Sequence, residues 1–196
     1  TRFSHLSRDW IAESYFRDGQ YAKARAIYVD LYNMSALYNS PESYLITYNL
    51  AYCYFMECDY VNALKWFDKY LDEPRVTYRK DALERKGDCW FVAKKYKNAA
   101  SSYVLSVNDY FDVDDVYPYY QAAMSYGLSG DRDKKVELLE NVRNAKVGVP
   151  YYSEALYELG RCYIGLKQDD KAYECFELLS MNQKDGNYMA KAYLEM

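Results

Sequence analysis

The sequence contains few side chains of the types and spacing that enzymatic chemistry requires. Its one histidine, His5, stands at the very start of the chain, where we expect a surface side chain rather than a catalytic base. Neighbouring carboxylates occur at Asp114-Asp115 and Asp169-Asp170, in predicted connectors or turns without the apolar surroundings that acid–base catalysis needs. No glycine-rich motif of a phosphate-binding loop is present. We therefore predict no enzyme and no cofactor.

The five cysteines have the spacing of packing residues rather than of metal ligands or disulfide partners. No Cys-x-x-Cys pair occurs, and an odd number leaves at least one thiol unpaired. Cys53, Cys89 and Cys162 stand at equivalent places in the repeats described below, where other repeats have serine. This pattern predicts a small buried side chain and no metal site.

Composition and charge favour a helical chain with an apolar core and disfavour nucleic acid as a partner. Hydrophobic residues make up 51% of the 196 residues and charged residues 28%, while glycine (8) and proline (4) are scarce. The net charge is −4 and the acidic residues are dispersed. Nucleic-acid binding requires a basic stripe, which this sequence lacks. No apolar run reaches the length of a membrane span.

A pattern of small and aromatic residues recurs five times at intervals of 36 to 39 residues. We number each repeat so that its reference small residue is slot eight. The residues that share a slot are as follows: Ala12, Ala51, Gly87, Ala123 and Gly160 at slot eight; Tyr15, Tyr54, Trp90, Tyr126 and Tyr163 at slot eleven; Ala24, Ala63, Ala99, Lys135 and Ala172 at slot twenty; and Tyr28, Phe67, Tyr103, Leu139 and Phe176 at slot twenty-four. Such a period predicts helical hairpins stacked on copies of themselves.

The repeat boundaries follow from this numbering. In residues 51–71 the pattern predicts the end of one helix, a polar turn at Glu57-Cys58-Asp59 and the start of a second helix. We predict a single array over 1–196, with repeats at 5–38, 44–73, 80–107, 116–143 and 153–181 and the start of a sixth at 188–196. Because a half-repeat cannot bury its apolar face, we expect the chain to be a piece of a longer array.

The pattern resembles the tetratricopeptide repeat (TPR), a family with small residues at slots eight and twenty, aromatics at slots eleven and twenty-four, and a Gly-Asp turn near slot fifteen. The resemblance covers nearly the whole chain and implies an all-α, right-handed solenoid of antiparallel helix pairs. Repeat four departs most, because Lys135 replaces the small slot-twenty residue and Arg132 the aromatic that the family has at slot seventeen. We expect looser packing there, with the aliphatic stem of Lys135 lying along apolar surface.

The predicted binding surface is a stripe on the first helices, which line the concave face in TPR arrays. Slots five, nine and twelve share one side of a helix. They carry acidic and aromatic residues: Asp9, Glu13, Phe16, Tyr48, Tyr52, Phe55, Glu84, Asp88, Phe91, Tyr120, Met124, Tyr157 and Arg161. The family's carboxylate-binding Lys and Asn are absent from these slots. The stripe therefore predicts a protein or peptide partner with basic and apolar side chains.

Alternatives to this interpretation remain open. The tyrosines of the stripe are also interpretable as packing against the adjacent repeat. The array is alternatively a structural spacer, or it self-associates through its incomplete sixth repeat without a groove ligand. The location is open as well: the tyrosine-rich repeats resemble exported TPR proteins of Gram-negative bacteria, which implies the cell envelope, whereas unpaired cysteines favour a reducing compartment such as the cytoplasm.

Overall fold

The computed structural model describes residues 2–38, 43–73, 76–107, 114–181 and 186–196, and these residues form eleven α-helices and no strand. The chain is an all-α helical-repeat solenoid, which confirms the predicted fold class. The helices are α1 (Arg2–Arg17), α2 (Tyr21–Tyr38), α3 (Ser43–Met56), α4 (Tyr60–Leu71), α5 (Arg79–Val92), α6 (Tyr96–Val107), α7 (Tyr117–Leu128), α8 (Arg132–Val142), α9 (Tyr152–Gly165), α10 (Asp169–Met181) and α11 (Gly186–Glu195). Each predicted repeat contains two consecutive helices, whereas the single array and its boundaries stay predictions.

Two compact units make up the chain, an N-terminal unit (Thr1–Lys95) with α1 to α5 and a C-terminal unit (Tyr96–Met196) with α6 to α11. Within each unit every helix packs against the next one along the chain. Short polar turns make this arrangement the natural one, since a helix that follows a turn of three residues must fold back on its predecessor. The side chain of His5 lies outside the described residues.

The turn inside each helical hairpin has the same backbone geometry in all five repeats. One residue in each turn adopts a left-handed conformation, with φ between 57° and 90°: Gly19, Cys58, Lys94, Gly130 and Lys167. These residues all stand at slot fifteen. In repeat two, the N–H of Cys58 donates to the carbonyl of Phe55 (3.0 Å) and the N–H of Asp59 to that of Tyr54 (2.9 Å), which is a Schellman motif. The equivalent bonds close the other four turns, so the turn predicted at residues 57–59 is confirmed.

Glycine is expected to stabilise the turns in which slot fifteen carries a side chain. Left-handed backbone costs an L-residue more than it costs glycine. Lys94→Gly should therefore raise the free energy of unfolding by about 0.5–1 kcal/mol, measured by urea denaturation. The matched control is Lys65→Gly in the middle of α4, which should lower stability by about 0.5–1 kcal/mol. Equal losses in the two variants would contradict the shared turn geometry.

Small and large side chains interlock between the two helices of a repeat, as predicted. The slot-twenty-four residues are all buried, at 0–1% exposure: Tyr28, Phe67, Tyr103, Leu139 and Phe176. The slot-eight residues are buried as well. In repeat two, Ala51 and Ala63 belong to the same core cluster as Phe67. Close approach of two helices requires this pairing of small and large residues.

The tightest of these contacts lies between Gly160 of α9 and Phe176 of α10. A Cβ added to Gly160 would stand 2.7 Å from two carbons of the Phe176 ring, which is closer than van der Waals contact allows. Gly160→Ala should therefore lower the free energy of unfolding by about 1–3 kcal/mol through overpacking. Gly165→Ala, in the same helix with open space around it, should be neutral or stabilising by up to about 1 kcal/mol. Similar effects of both changes on the urea midpoint would show that this contact does not limit packing.

Repeat four accommodates Lys135 by using a glycine on the facing helix. A Cβ on Gly127 of α7 would lie 2.8 Å from the Lys135 Cδ, so the aliphatic stem occupies the space that a side chain would fill. The ammonium reaches Glu158 of α9 at 2.8 Å, and both side chains are mostly buried. The expected position of the stem is confirmed. The looser packing expected in this repeat stays a prediction.

Candidate protein-binding surface

A pocket of about 340 Å³ opens among α1, α2, α3 and the residue before α5 in the N-terminal unit. Its lining consists of five aromatic side chains with one carboxylate and one amide: Phe16, Tyr28, Tyr48, Tyr52 and Tyr78, with Glu13 and Asn49. The structure thus brings four members of the predicted stripe together, namely Glu13, Phe16, Tyr48 and Tyr52. Helical spacing on α1 and α3 places each pair on one side of its helix.

Asp81 of α5 fixes two of the pocket tyrosines. Its Oδ2 accepts hydrogen bonds from the hydroxyls of Tyr48 (2.7 Å) and Tyr52. Burial, followed by the bond to Asp81, raises the pKa of both phenols, which therefore remain neutral donors. Hydrogen bonds to a charged group are stronger than neutral ones. Asp81 was not predicted as a site residue, although slot two lies on the same helical side as slots five and nine.

Tyr48 is part of the core as well as part of the pocket wall. Its ring stacks on Tyr78 (centroids 5.0 Å apart, 25° between planes) and contacts Tyr70 (5.0 Å) and Phe67 (6.5 Å). Tyr78 is held in place because its backbone N–H donates to the hydroxyl of the buried Tyr70 at 2.9 Å. Both sequence interpretations therefore apply to this tyrosine, which packs on neighbours and also lines an open pocket.

The acidic residues of α1 stand close to this pocket. Asp9 and Glu13 are one helical turn apart and half-buried. Burial, and then the charge of Glu13, raises the pKa of Asp9. Glu13 Oε1 accepts from the Nε of Arg17 at 2.9 Å, in a surface pair of a kind that contributes little to stability. Among the described side chains no ion pair reaches Asp9, so this end of the stripe retains negative charge.

The acidic residues of α5 have a different environment. Glu84 is buried, and Asp88 is half-buried. Arg85 of the same helix lies 2.6 Å from Asp88 Oδ2 and 3.7 Å from Glu84 Oε2. Their negative charge is therefore largely balanced inside the molecule. Their role in binding a ligand stays a prediction.

Two phenylalanines of the stripe lie at slot twelve on α3 and α5, and both are half-buried. The ring of Phe55 contacts Tyr52 (6.2 Å) and Tyr60 (5.8 Å), and the guanidinium of Arg85 lies 5.9 Å from its centroid. Phe55 thus extends the aromatic surface beyond the pocket. Phe91 is placed at the equivalent slot of α5.

In the C-terminal unit the stripe residues engage other side chains of the same unit. Tyr157 of α9 contacts Phe176 (6.0 Å) and its hydroxyl donates to Glu195 at 3.0 Å. Arg161 is exposed and lies 3.7 Å from Glu158. Met124 of α7 is half-buried. Whether these residues bind a partner stays a prediction.

A tyrosine pair recurs that sequence reasoning missed. The slot-five tyrosine of three repeats contacts a tyrosine two residues before the next repeat begins, in the pairs Tyr48–Tyr78, Tyr120–Tyr151 and Tyr157–Tyr188, with centroids 5.0, 5.5 and 5.7 Å apart. The sequence signal is a tyrosine 30 or 31 residues after each slot-five tyrosine. This contact supports the packing interpretation for part of the stripe.

The cysteines and acidic residues offer no site for chemistry in the described part of the chain. Cys53 and Cys89 are fully buried, and burial raises the pKa of each thiol to about 12, whereas Cys162 is half-buried. All five cysteines are free. Within the described residues no group of three or more His, Cys, Asp or Glu is arranged to hold a metal ion. None of the helices described combines the length and apolarity that crossing a bilayer requires.

Comparison with known proteins points to one repeat family. Two models of the tetratricopeptide repeat match the sequence, one over residues 11–75 and the other over residues 154–180. The matched residues lie in the first, second and fifth predicted repeats. No curated protein matches the sequence.

Solved structures with the same architecture cover nearly the whole chain. A MamA protein aligns with a TM-score of 0.76 at 17% identity over 94% of both chains. MamA from Desulfovibrio magneticus RS-1, from residue 41 to the end, aligns with a TM-score of 0.71 at 20% identity over 93% of this chain and 97% of that one. YrrB, a TPR protein with an unusual peptide-binding site, aligns with a TM-score of 0.69 at 19% identity over 95% of this chain and 90% of its own. Similarity at this level of identity shows the fold.

Proposed function

The chain is a tetratricopeptide-repeat protein, and from this premise we propose that it is a non-enzymatic scaffold that binds a peptide or protein segment on the aromatic and acidic side of its first helices. Repeat solenoids of this type support protein–protein interaction, and the solved structure of YrrB has a peptide-binding site. The face used by this chain is the part that requires a test.

The observation that carries the proposal is the pocket of the N-terminal unit. Its lining of five aromatic side chains is already ordered by contacts within the unit, as the hydrogen bonds of Tyr48 and Tyr52 to Asp81 illustrate. A rigid aromatic wall loses little conformational entropy when a ligand binds. The acids Asp9 and Glu13 favour a segment that carries basic as well as apolar side chains.

Selection from a random peptide library tests this proposal directly. The intact chain, immobilised, should enrich peptides that combine a basic residue with aromatic or aliphatic residues. Asn49→Trp, which fills the pocket from its own wall, should abolish the enrichment. Asn33→Trp on the exposed surface of α2 is the matched control and should leave it unchanged. No enrichment by the wild-type chain, or equal enrichment by the Asn49→Trp variant, would contradict the proposed face.

A second candidate, self-association, is favoured by the exposed apolar side chains of the last helix and its terminus. Tyr193, Leu194 and Met196 are 62%, 87% and 47% exposed. In this alternative the array makes its contacts through that end and has no groove ligand. Light scattering distinguishes the two: a dimer or larger species that Leu194→Glu converts to monomer would support self-association, whereas a wild-type monomer would exclude it.

A further inference from the structure

We propose that the pocket of the N-terminal unit binds the side chain of an arginine from the partner segment, with the guanidinium against the aromatic wall and bonded to Glu13. This inference rests on the proposed function and specifies the chemistry of its ligand. It is argued from the way in which the chain holds its own arginines and from the charge around the pocket.

The N-terminal unit already holds two guanidinium groups by one arrangement. Arg25 lies over the ring of Tyr54 (5.0 Å to the centroid), and its Nε and Nη2 donate to the two carboxylate oxygens of Glu57 at 2.7 and 3.4 Å. Arg85 likewise lies 5.9 Å from the Phe55 centroid and 2.6 Å from a carboxylate oxygen of Asp88. An aromatic face and a carboxylate together satisfy both the flat surface and the N–H groups of a guanidinium.

The pocket offers the same two components without a cation of its own. Its wall has five aromatic side chains and the carboxylate of Glu13, and none of its lining residues is basic. The nearest competitor is Arg17, which bonds only Oε1 of Glu13 and is itself 73% exposed. The hydroxyl of Tyr28 reaches Oε2 only at 3.5 Å, so this oxygen retains capacity for a stronger donor.

The electrostatic environment favours a positively charged occupant. Burial, and then the charges of Asp9 and Glu13, raises the pKa of Tyr28, so the field of both carboxylates extends to the pocket wall. Asp9 and Glu13 also repel one another across one helical turn, as the raised pKa of Asp9 indicates after burial is considered. A cation placed between the aromatic side chains and Glu13 would relieve that repulsion.

Arginine fits this pocket better than lysine does. A guanidinium stacks on an aromatic face and donates two parallel bonds to one carboxylate, whereas an ammonium acts as a point charge that is more strongly hydrated. The volume of about 340 Å³ is at the low end for ligand pockets and suits one side chain rather than a folded segment.

The test uses short capped peptides and the intact chain. The probe is acetyl-Gly-Gly-Arg-Gly-Gly-amide, and its matched control carries citrulline, a neutral isostere of arginine. Affinities are measured from ¹H–¹⁵N chemical-shift changes during titration. The arginine peptide should bind at least about tenfold more tightly than the citrulline peptide, since charge-assisted hydrogen bonds are lost with the charge. The lysine analogue should bind with intermediate affinity.

Two variants locate the binding site. Glu13→Gln keeps the size and one acceptor of the side chain, and it should remove the preference for arginine over citrulline. Glu137→Gln, on the exposed surface of α8 in the C-terminal unit, should leave that preference intact. Equal affinity for the two peptides in the wild-type chain, or an unchanged preference in Glu13→Gln, would overturn the inference.

These results are separable from the test of the proposed function. If peptides selected from the library bind through the pocket but tolerate replacement of arginine by citrulline, the scaffold function stands and the arginine site is overturned. If no library peptide is enriched and the arginine probe does not bind, both are overturned.

Discussion

Phe67→Ala is expected to lower the free energy of unfolding by about 3–5 kcal/mol, the cost of truncating a buried aromatic side chain. The ring is fully buried in α4 and belongs to a core cluster with Ala51 and Ala63. It also contacts the rings of Tyr48 and Tyr52 at 6.5 and 5.7 Å. Truncation would leave a cavity that the small residues around it cannot fill. Urea denaturation followed by circular dichroism measures the loss.

Val61→Ala is the matched control for this change. Val61 lies on the same helix but is 66% exposed, so its truncation should change stability by less than about 0.5 kcal/mol. A loss below about 1 kcal/mol in Phe67→Ala would mean that slot twenty-four does not form the centre of the repeat. The equivalent residues Tyr28 and Phe176 would then lose the same role.

The fold could be predicted from the sequence because its main contacts repeat with the chain. Ala51, Ala63 and Phe67 are close enough along the chain for helical spacing and one short turn to determine their contact. Copies of this set at a fixed period made the pattern recognisable although each mark alone is weak. The turn at Cys58 was predictable for the same reason, despite the absence of glycine there.

The contacts between successive repeats were less predictable. Tyr78 and Tyr151 lie in the connectors that precede their repeats, where helical periodicity gives no direction for a side chain. Their contacts with Tyr48 and Tyr120 depend on the path of the connector. Tyr151 even adopts a left-handed backbone, with φ of 66°, which no residue pattern for a tyrosine would indicate.

The predicted acidic patch on α5 shows a second reason why site prediction was incomplete. Slots five and nine identified Glu84 and Asp88 but left out Arg85 at slot six, which bonds to them in the structure. A stripe defined by fixed slots treats each side chain as pointing straight outward. Long side chains such as arginine reach across to neighbouring slots, and this changes the net charge that a ligand would meet.

The tyrosines of α3 are expected to have the largest effect on binding. With a peptide selected by the wild-type chain, Tyr48→Ala combined with Tyr52→Ala should weaken affinity about 100-fold, since each side chain has the character of a binding hot spot. Affinity is measured by fluorescence anisotropy of the labelled peptide, at a temperature where circular dichroism shows the variant to be folded. The control pair, Tyr173→Ala with Tyr193→Ala, removes two exposed tyrosines of the C-terminal unit and should leave affinity unchanged.

The double phenylalanine variant separates binding from packing at the same positions. Tyr48→Phe with Tyr52→Phe keeps both rings and removes the two donors to Asp81. If the rings form the binding surface, this variant should retain most of its affinity, although its stability falls because the carboxylate of Asp81 loses two hydrogen bonds. If the alanine pair binds as tightly as the wild-type chain while folded, Tyr48 and Tyr52 serve only to hold α3 against α5, and the pocket that they line is not the binding face.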